Sequence, residues 1–390
     1  MSSAATLTRV SSTPFAVPAA VGFFFAFRAC VTVLGFQEHP VAATAATFAI
    51  ELALLFVVWC STSDFSVVGA MPSTVKWVIA YLSFVLLSLY WSQTGSTLVA
   101  LMYWLGLALD CFLVYRLTAD GSVEEKLNAI LYGFILGAAA GGLIAWMLPT
   151  MPDLRIGNED FLHPNALGYM LSLATLFAIT LGRRVRAGVP LAFFCGLTLL
   201  RTLSKTSISA FAIAMIYYLL RGSHLARRAK VIIAVTAIAA VIASWGLLEA
   251  YAITYHETEN AETLTGRTYL WDVTWQDAWQ TPLLGRGFYS YRFVIPVLGD
   301  FEPWEAHNEV LQQFFCYGVA GLAIYLGLNV SLIRSTMRRR KSRMAVLAFA
   351  VIIFAVARGV LDTERFDVNF PLWLTTLFAI YFHHPNLESE

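Results

Sequence analysis

Residues 127–149 read LNAILYGFILGAAAGGLIAWMLP, a run without a charged side chain. A hydrocarbon core about 30 Å thick is crossed by about 20 apolar residues in a helix, so this stretch has the length and chemistry of a membrane span. Gly137, Gly141 and Gly142 give it a small-residue face that lets a neighbouring helix approach closely. Segments that pass the same test lie at 15–36, 40–60, 75–92, 97–117, 163–182, 187–203, 206–221, 230–249, 309–334, 344–361 and 368–384. The region 187–221 reads either as two short helices or as a broken pair. The expected fold is all-α: a polytopic integral membrane protein of about twelve transmembrane helices, one domain over 1–390, with a single long loop at 250–308.

Composition agrees with this reading. The 390 residues are 58% hydrophobic and 13% charged, whereas a soluble globular domain carries about 25% charged residues. The net charge of +1 gives no field that would attract nucleic acid. The charges are instead sorted by side. Arg183, Arg184 and Arg186 form one basic cluster; Arg221, Arg227, Arg228 and Lys230 form a second; Arg334, Arg338, Arg339, Arg340, Lys341 and Arg343 form a third. Even numbers of spans separate them, so all three fall on one face, and the excess of Lys and Arg makes that face cytoplasmic. Both termini are then cytoplasmic and the loop 250–308 lies outside. The first apolar segment contains Arg28 and lacks a small-residue cleavage site, so no cleavable signal is expected. The five cysteines stand singly in apolar segments and read as buried small side chains.

The loop is rich in aromatic residues, which argues for an ordered element. Residues 266–280 read as a helix on which Trp271, Trp275 and Trp279 share one face at i, i+4, i+8 spacing. Such a stripe suits a helix lying in the membrane interface; stacking on sugar rings is the alternative.

Four polar stretches fall on the expected outer side: Arg155 to Asn165, Ser204-Lys205-Thr206, Gly266-Arg267 with Gly285-Arg286-Gly287, and Ala306-His307-Asn308-Glu309. Arg358 and Arg365 stand near them. This is an excess of cationic donors beside one imidazole. Guanidinium forks suit phosphate oxygens, donors of this kind stabilise a diphosphate leaving group, and histidine is the natural base for a sugar hydroxyl. Arg201 and Arg358, in or beside apolar segments, are functional candidates because they cannot face lipid cheaply; the other reading has them pair with Asp362 or Glu364 or snorkel to the interface. Gly285-Arg286-Gly287 is a tight turn rather than a dinucleotide fingerprint. His256, Glu257 and Glu259 read as a solvated loop, His383-His384 as a helix terminus, and Glu38-His39 belongs to a short loop with no Asp-x-Asp pair. No metal site or cofactor is expected.

In order along the chain, the motifs are Arg155 with His163-Pro164-Asn165-Ala166-Leu167-Gly168, Leu203-Ser204-Lys205-Thr206, Gly266-Arg267 with Trp271, Pro282 to Gly287, His307 to Gln312, and Cys316 to Gly321. This order resembles the bacterial O-antigen ligase and polysaccharide polymerase superfamily over about residues 150–380. The Ser-Lys-Thr stretch and the late Arg358…Glu364…Trp373 stretch look most like the exopolysaccharide polymerase branch. The resemblance implies a GT-C-like, metal-independent, inverting glycosyltransferase in the bacterial inner membrane, acting on the periplasmic side on an undecaprenyl-diphosphate-linked oligosaccharide. It implies His307 as general base with Asn308 and Glu305 beside it, and diphosphate held by Arg155, Arg267, Lys205, Arg286, Arg358 and Arg365. Asn165, Trp271 and Gln312 are then candidates for acceptor or sugar contacts. Flippase and chain-length regulator proteins would be its partners, besides the lipid bilayer. Two alternatives stand beside polymerisation: an O-antigen ligase that transfers glycan to the lipid A–core, and a twelve-helix transporter or flippase.

Overall fold

The computed structural model describes residues 15–35, 40–62, 71–119, 122–158, 162–222, 226–243, 246, 264–297, 302–340, 342–364 and 366–384. Among them there are helices and turns but no strand. Each of the twelve apolar segments contains a helix. These are α1 (Ala16–Gly35), α2 (Pro40–Ser61), α3 (Ser73–Ser88), α4 (Thr97–Thr118), α5 (Val123–Met147), α6 (Pro164–Leu181), α7 (Gly188–Arg201), α8 (Lys205–Arg221) and α9 (Arg227–Ala243), then α12 (Glu309–Met337), α13 (Arg343–Gly359) and α14 (Leu372–His383). The long loop contributes α10 (Leu264–Ala278) and the single turn α11 (Tyr291–Val294). By length and composition α2, α4, α5, α6 and α12 are each sufficient to cross a membrane, and α1, α3, α7 and α14 are shorter apolar helices. Large apolar side chains such as Phe56, Leu220, Ile232, Ile238 and Val356 point outward, an arrangement that lipid, not water, rewards. The protein is a polytopic, all-helical membrane protein.

Small residues let the first helices touch. α1 crosses α5 where a Cβ on Gly22 would strike the Ile130 carbonyl oxygen, and one on Gly133 that of Ala19. Gly137 sits against the Phe23 carbonyl, as the LGAAAGG face suggests. The region 187–221 resolves into α7 and α8, separated by a turn in which Leu203 takes φ 52° and Ser204 caps α8 by accepting from the Ser207 N–H.

α12 is broken at Gly318 (φ 60°, ψ −164°). A break inside lipid would orphan backbone groups at a cost of several kcal/mol each. Here the turn 282–287 satisfies them: the Arg286 and Gly287 N–H groups donate to the carbonyls of Phe315 (2.9 Å) and Cys316 (2.7 Å), while Val319 and Ala320 donate to those of Pro282 (2.8 Å) and Leu283 (3.1 Å). Two of the sequence motifs are therefore halves of one backbone clasp.

The two ends of the bundle differ. Glu124, at the start of α5, draws Arg343 (3.6 Å) and Arg184 (3.9 Å) to one end, so the first and third basic clusters share a face. The starts of α6, α8, α12 and α14 and the end of α13 gather at the other, where Ser204 donates to Asn165 (3.0 Å) and Asn308 to the Val360 carbonyl (3.0 Å).

Candidate active site

His307 stands immediately before α12 with φ 48°, a left-handed backbone that costs a non-glycine residue about 1–3 kcal/mol and persists only where surroundings impose it. The surroundings are visible on both sides. The Ala306 N–H donates to Gln312 Oε1 (2.8 Å), and the Ala306 carbonyl accepts from Trp271 Nε1 (2.8 Å). Asn308 Oδ1 caps α12 through the Leu311 N–H (2.9 Å). The peptide bearing the imidazole is thus tied to α10, α12 and α13. Trp271 and Gln312, candidates for sugar contacts in the sequence, spend these polar atoms on the backbone beside His307. Asn308 orients that backbone rather than the ring.

The ring is oriented by Asp362. His307 Nδ1 lies 3.1 Å from Asp362 Oδ1 and 3.8 Å from Glu305 Oε1. Asp362 is buried; its Oδ2 receives Arg358 at 2.9 Å and its Oδ1 the Thr363 N–H at 3.1 Å. Burial opposes its ionisation, but Arg358, His307 and Arg267 override this and hold the carboxyl well below the usual carboxylate range.

Arg358 is 2% exposed; its two terminal nitrogens are engaged, while its buried Nε has no partner among the described residues. Besides Asp362 it meets Glu364 (2.8 Å) and Asn369, with its guanidinium 4.6 Å from the centre of the Tyr169 ring. Its other neighbours reinforce the same knot: Asn369 Nδ2 and the Thr363 hydroxyl both donate to Glu309 Oε2 (3.0 and 2.5 Å). The guanidinium of Arg358 therefore pairs with both carboxylates at once. Arg286 is paired in the same way. It forks onto Asp277 (2.9 and 2.8 Å) and Gln280 (2.7 Å), bracing the glycine turn against α10.

The remaining candidates divide. Arg267, on the first turn of α10, is half-buried, acts on Asp362 through its charge, and has a buried Nε with no partner among the described residues. Arg155 is buried against Asp153, with Arg201 donating to the neighbouring Leu154 carbonyl. Lys205 is exposed at the start of α8, and Asn165 is bound to Ser204. Arg365, Glu38-His39 and the group His256, Glu257 and Glu259 lie outside the described residues. Trp275 and Trp279 are half-exposed and pack on Phe314 of α12, Trp275 tilted and Trp279 edge-on (ring centres 5.7 and 5.5 Å).

Glu305, His307 and Asp362 present three potential ligand atoms within 4.8 Å of one another. The chemistry of the set suits an imidazole–carboxylate pair better than a cation. Both Asp362 oxygens already accept hydrogen bonds, and the Arg358 charge beside them repels a dication.

Two comparisons bear on this arrangement. Residues 190–326, from α7 into the middle of α12, match the family described as O-antigen ligase. Over 298 residues the chain is 25% identical to an O-antigen ligase of Pseudomonas aeruginosa, covering 74% of this chain and 71% of that protein. Both bear out the resemblance to the O-antigen ligase and polysaccharide polymerase superfamily.

Proposed function

We propose that the protein transfers a glycan from an undecaprenyl-diphosphate carrier to a sugar hydroxyl on the outer side of the bacterial inner membrane, with His307 as general base. The observation that carries this is the 3.1 Å contact between His307 Nδ1 and the ionised Asp362. With the Nδ1–H given to Asp362, the basic lone pair resides on Nε2. Nε2 takes the acceptor hydroxyl proton as the oxygen attacks the anomeric carbon. The bond from that carbon to the diphosphate breaks, the centre inverts, and the leaving diphosphate meets Arg267. His307 then returns its proton to the diphosphate, which closes the balance. Such a route needs no metal, so chelation of divalent ions is expected to leave the rate unchanged.

Two acceptors fit this chemistry, the growing repeat of a polymerase and the lipid A–core of a ligase. The relative and the family are both described as O-antigen ligase, and a likeness of this kind is compatible with either acceptor. Deletion of the gene separates the two. Long chains that persist on the carrier but never reach lipid A support the ligase; single repeats without long chains support the polymerase. Normal surface glycan in the deletion strain contradicts both.

A further inference from the structure

The break at Gly318 divides α12 in two, and the lengths fix how each part lies. Residues 319–337 rise about 28 Å, close to the about 30 Å of a hydrocarbon core. α13, 17 residues long, rises about 26 Å beside them. Both start from the same end of the bundle, since α12 stops at Met337 and α13 begins at Arg343. At its far end α13 meets the start of α12. A Cβ on Gly359 would lie 3.1 Å from that of Glu309, and Asn308 donates to the Val360 carbonyl (3.0 Å). Glu309 therefore stands at nearly the height of Gly318, although the stretch 309–317 between them is about 13 Å long. That stretch runs across the site's end of the bundle rather than up out of it.

α10 lies against the same stretch, with Trp275 and Trp279 on Phe314. At about 3.6 residues per turn its surface falls into three strips. Leu270, Thr274 and Ala278 are buried. Next round the helix come the half-exposed Trp275 and Trp279. Beyond them Asp272 and Gln276 are exposed and hydrogen-bonded to each other (2.9 Å). Core, aromatic and polar strips in that order suit a helix lying along the boundary between lipid and water, where the second and third strips each meet a matching solvent.

The turn that follows α10 continues the apolar surface. Leu283 is 72% exposed, and the clasp sets it beside Val319, 52% exposed and the first residue after the break. From Val319 the exposed Leu326 and Val330 carry the surface down the spanning part of α12. On the other side the Trp91 indole donates to the Leu284 carbonyl (3.3 Å), next to the exposed Tyr90 and Leu87. Tyr90, Trp91, Trp275 and Trp279 thus flank the clasp, and Trp and Tyr gather at membrane–water interfaces. An apolar surface of this extent, continuous with the lipid-facing wall of α12, marks a membrane contact.

We propose that α10, the 282–287 turn and the first part of α12 form a platform in the membrane interface on the side of the candidate site, with Trp279, Leu283 and Leu284 against phospholipid. His307, just before α12, then stands in the headgroup layer, which adds about 5–8 Å on each side of the hydrocarbon. The lipid contact is independent of the reaction. That this height serves a lipid-linked diphosphate rests on the transferase reading.

The test is power-saturation EPR on the full chain in phospholipid nanodiscs, with single nitroxide-labelled cysteines in a background lacking the exposed Cys60. Oxygen concentrates in lipid and a nickel chelate in water, so the two relaxants report what covers each label. Labels at Leu283→Cys and Trp279→Cys are expected to relax mainly through oxygen, as at Leu326→Cys. The label at Gln276→Cys should relax mainly through the chelate, with an oxygen-to-chelate ratio several-fold below that at Leu283→Cys. Chelate-dominated relaxation at Leu283→Cys would overturn the proposal, and so would oxygen-dominated relaxation at Gln276→Cys, which would immerse the whole helix. A label at Leu283→Cys shielded from both relaxants would mean that protein covers the turn, and would overturn it too. Leu283→Cys carries the test if Trp279→Cys does not fold, since Leu283 projects from the turn. The profile should be unchanged in His307→Ala protein, which is expected to lose transfer. If transfer persisted with the profile intact, the base assignment would fall while the platform stood.

Discussion

Asp362 has two neighbours to satisfy, the imidazole on one oxygen and a buried guanidinium on the other. Replacing it by asparagine removes the group that sets the His307 tautomer, so turnover should lose much of the about 10²–10⁴-fold that a general base supplies. It also unbalances Arg358, and breaking a buried ion pair by removing one partner costs about 3–5 kcal/mol. Glu364→Gln separates these effects, because it takes a partner from Arg358 without touching His307. At saturating acceptor, turnover should collapse in Asp362→Asn and survive in Glu364→Gln, with both melting earlier than wild type. Equal loss of turnover in both would mean general destabilisation. A second expectation concerns pH. The folded protein holds the Glu364 and Asp367 protons more tightly than the unfolded chain, whose carboxyls titrate near 4.5 and 3.8. Their contribution is complete at lower pH and is lost as pH rises through about 7. The melting temperature should therefore drop between pH 5.5 and 8, and Asp367→Asn should flatten the drop; an identical profile in both proteins would refute this. In the sequence, the i, i+4 spacing of Arg358 and Asp362 is enough to suggest a pair. The reach of Asp362 back across 55 residues to His307 leaves no mark there, since it depends on how α12 and α13 end beside each other.

The break in α12 belongs to the scale of elements. Apolar composition runs straight through Gly318, so hydropathy reads one uninterrupted span, and the glycine-rich turn at 285–287 reads only as a turn. That the two complete each other's hydrogen bonds appears only in three dimensions. Alanine at position 318 would put its Cβ 2.4 Å from the Leu283 carbonyl carbon while keeping φ at 60°. Left-handed strain alone costs about 1–3 kcal/mol, and the clash adds to it. Gly318→Ala should reduce the intact fraction after extraction and lower the melting temperature by several degrees. Gly196→Ala is the control: it lies inside α7, its Cβ would meet nothing closer than 3.7 Å, and alanine is favoured over glycine in a helix by about 0.5–1 kcal/mol. Equal behaviour of the two variants would mean that the clasp does not hold the break.

For the whole molecule, all twelve apolar segments are helical because span length is a property of composition, readable without knowing any contact. The site is less legible. His307 and Glu305 are brought together and Arg267 acts on the same Asp362, whereas the carboxylate partner of Arg286 is one that only the fold reveals. The first and third basic clusters and the candidate site occupy opposite ends of the bundle, and we propose from the excess of arginine that the former lies inside. In a background with the exposed Cys60 replaced, cysteine at Glu259 should react with an impermeant thiol reagent on intact cells and cysteine at Ser342 should not; the reverse pattern would invert the membrane orientation. The most direct measurement is the initial rate of glycan transfer from the lipid-diphosphate carrier by purified His307→Ala protein, at matched melting temperature and membrane insertion. A fall of about 10²-fold or more is expected from the loss of a general base. A rate near that of wild type would show that the proton is taken elsewhere, with Glu305 the next group to replace.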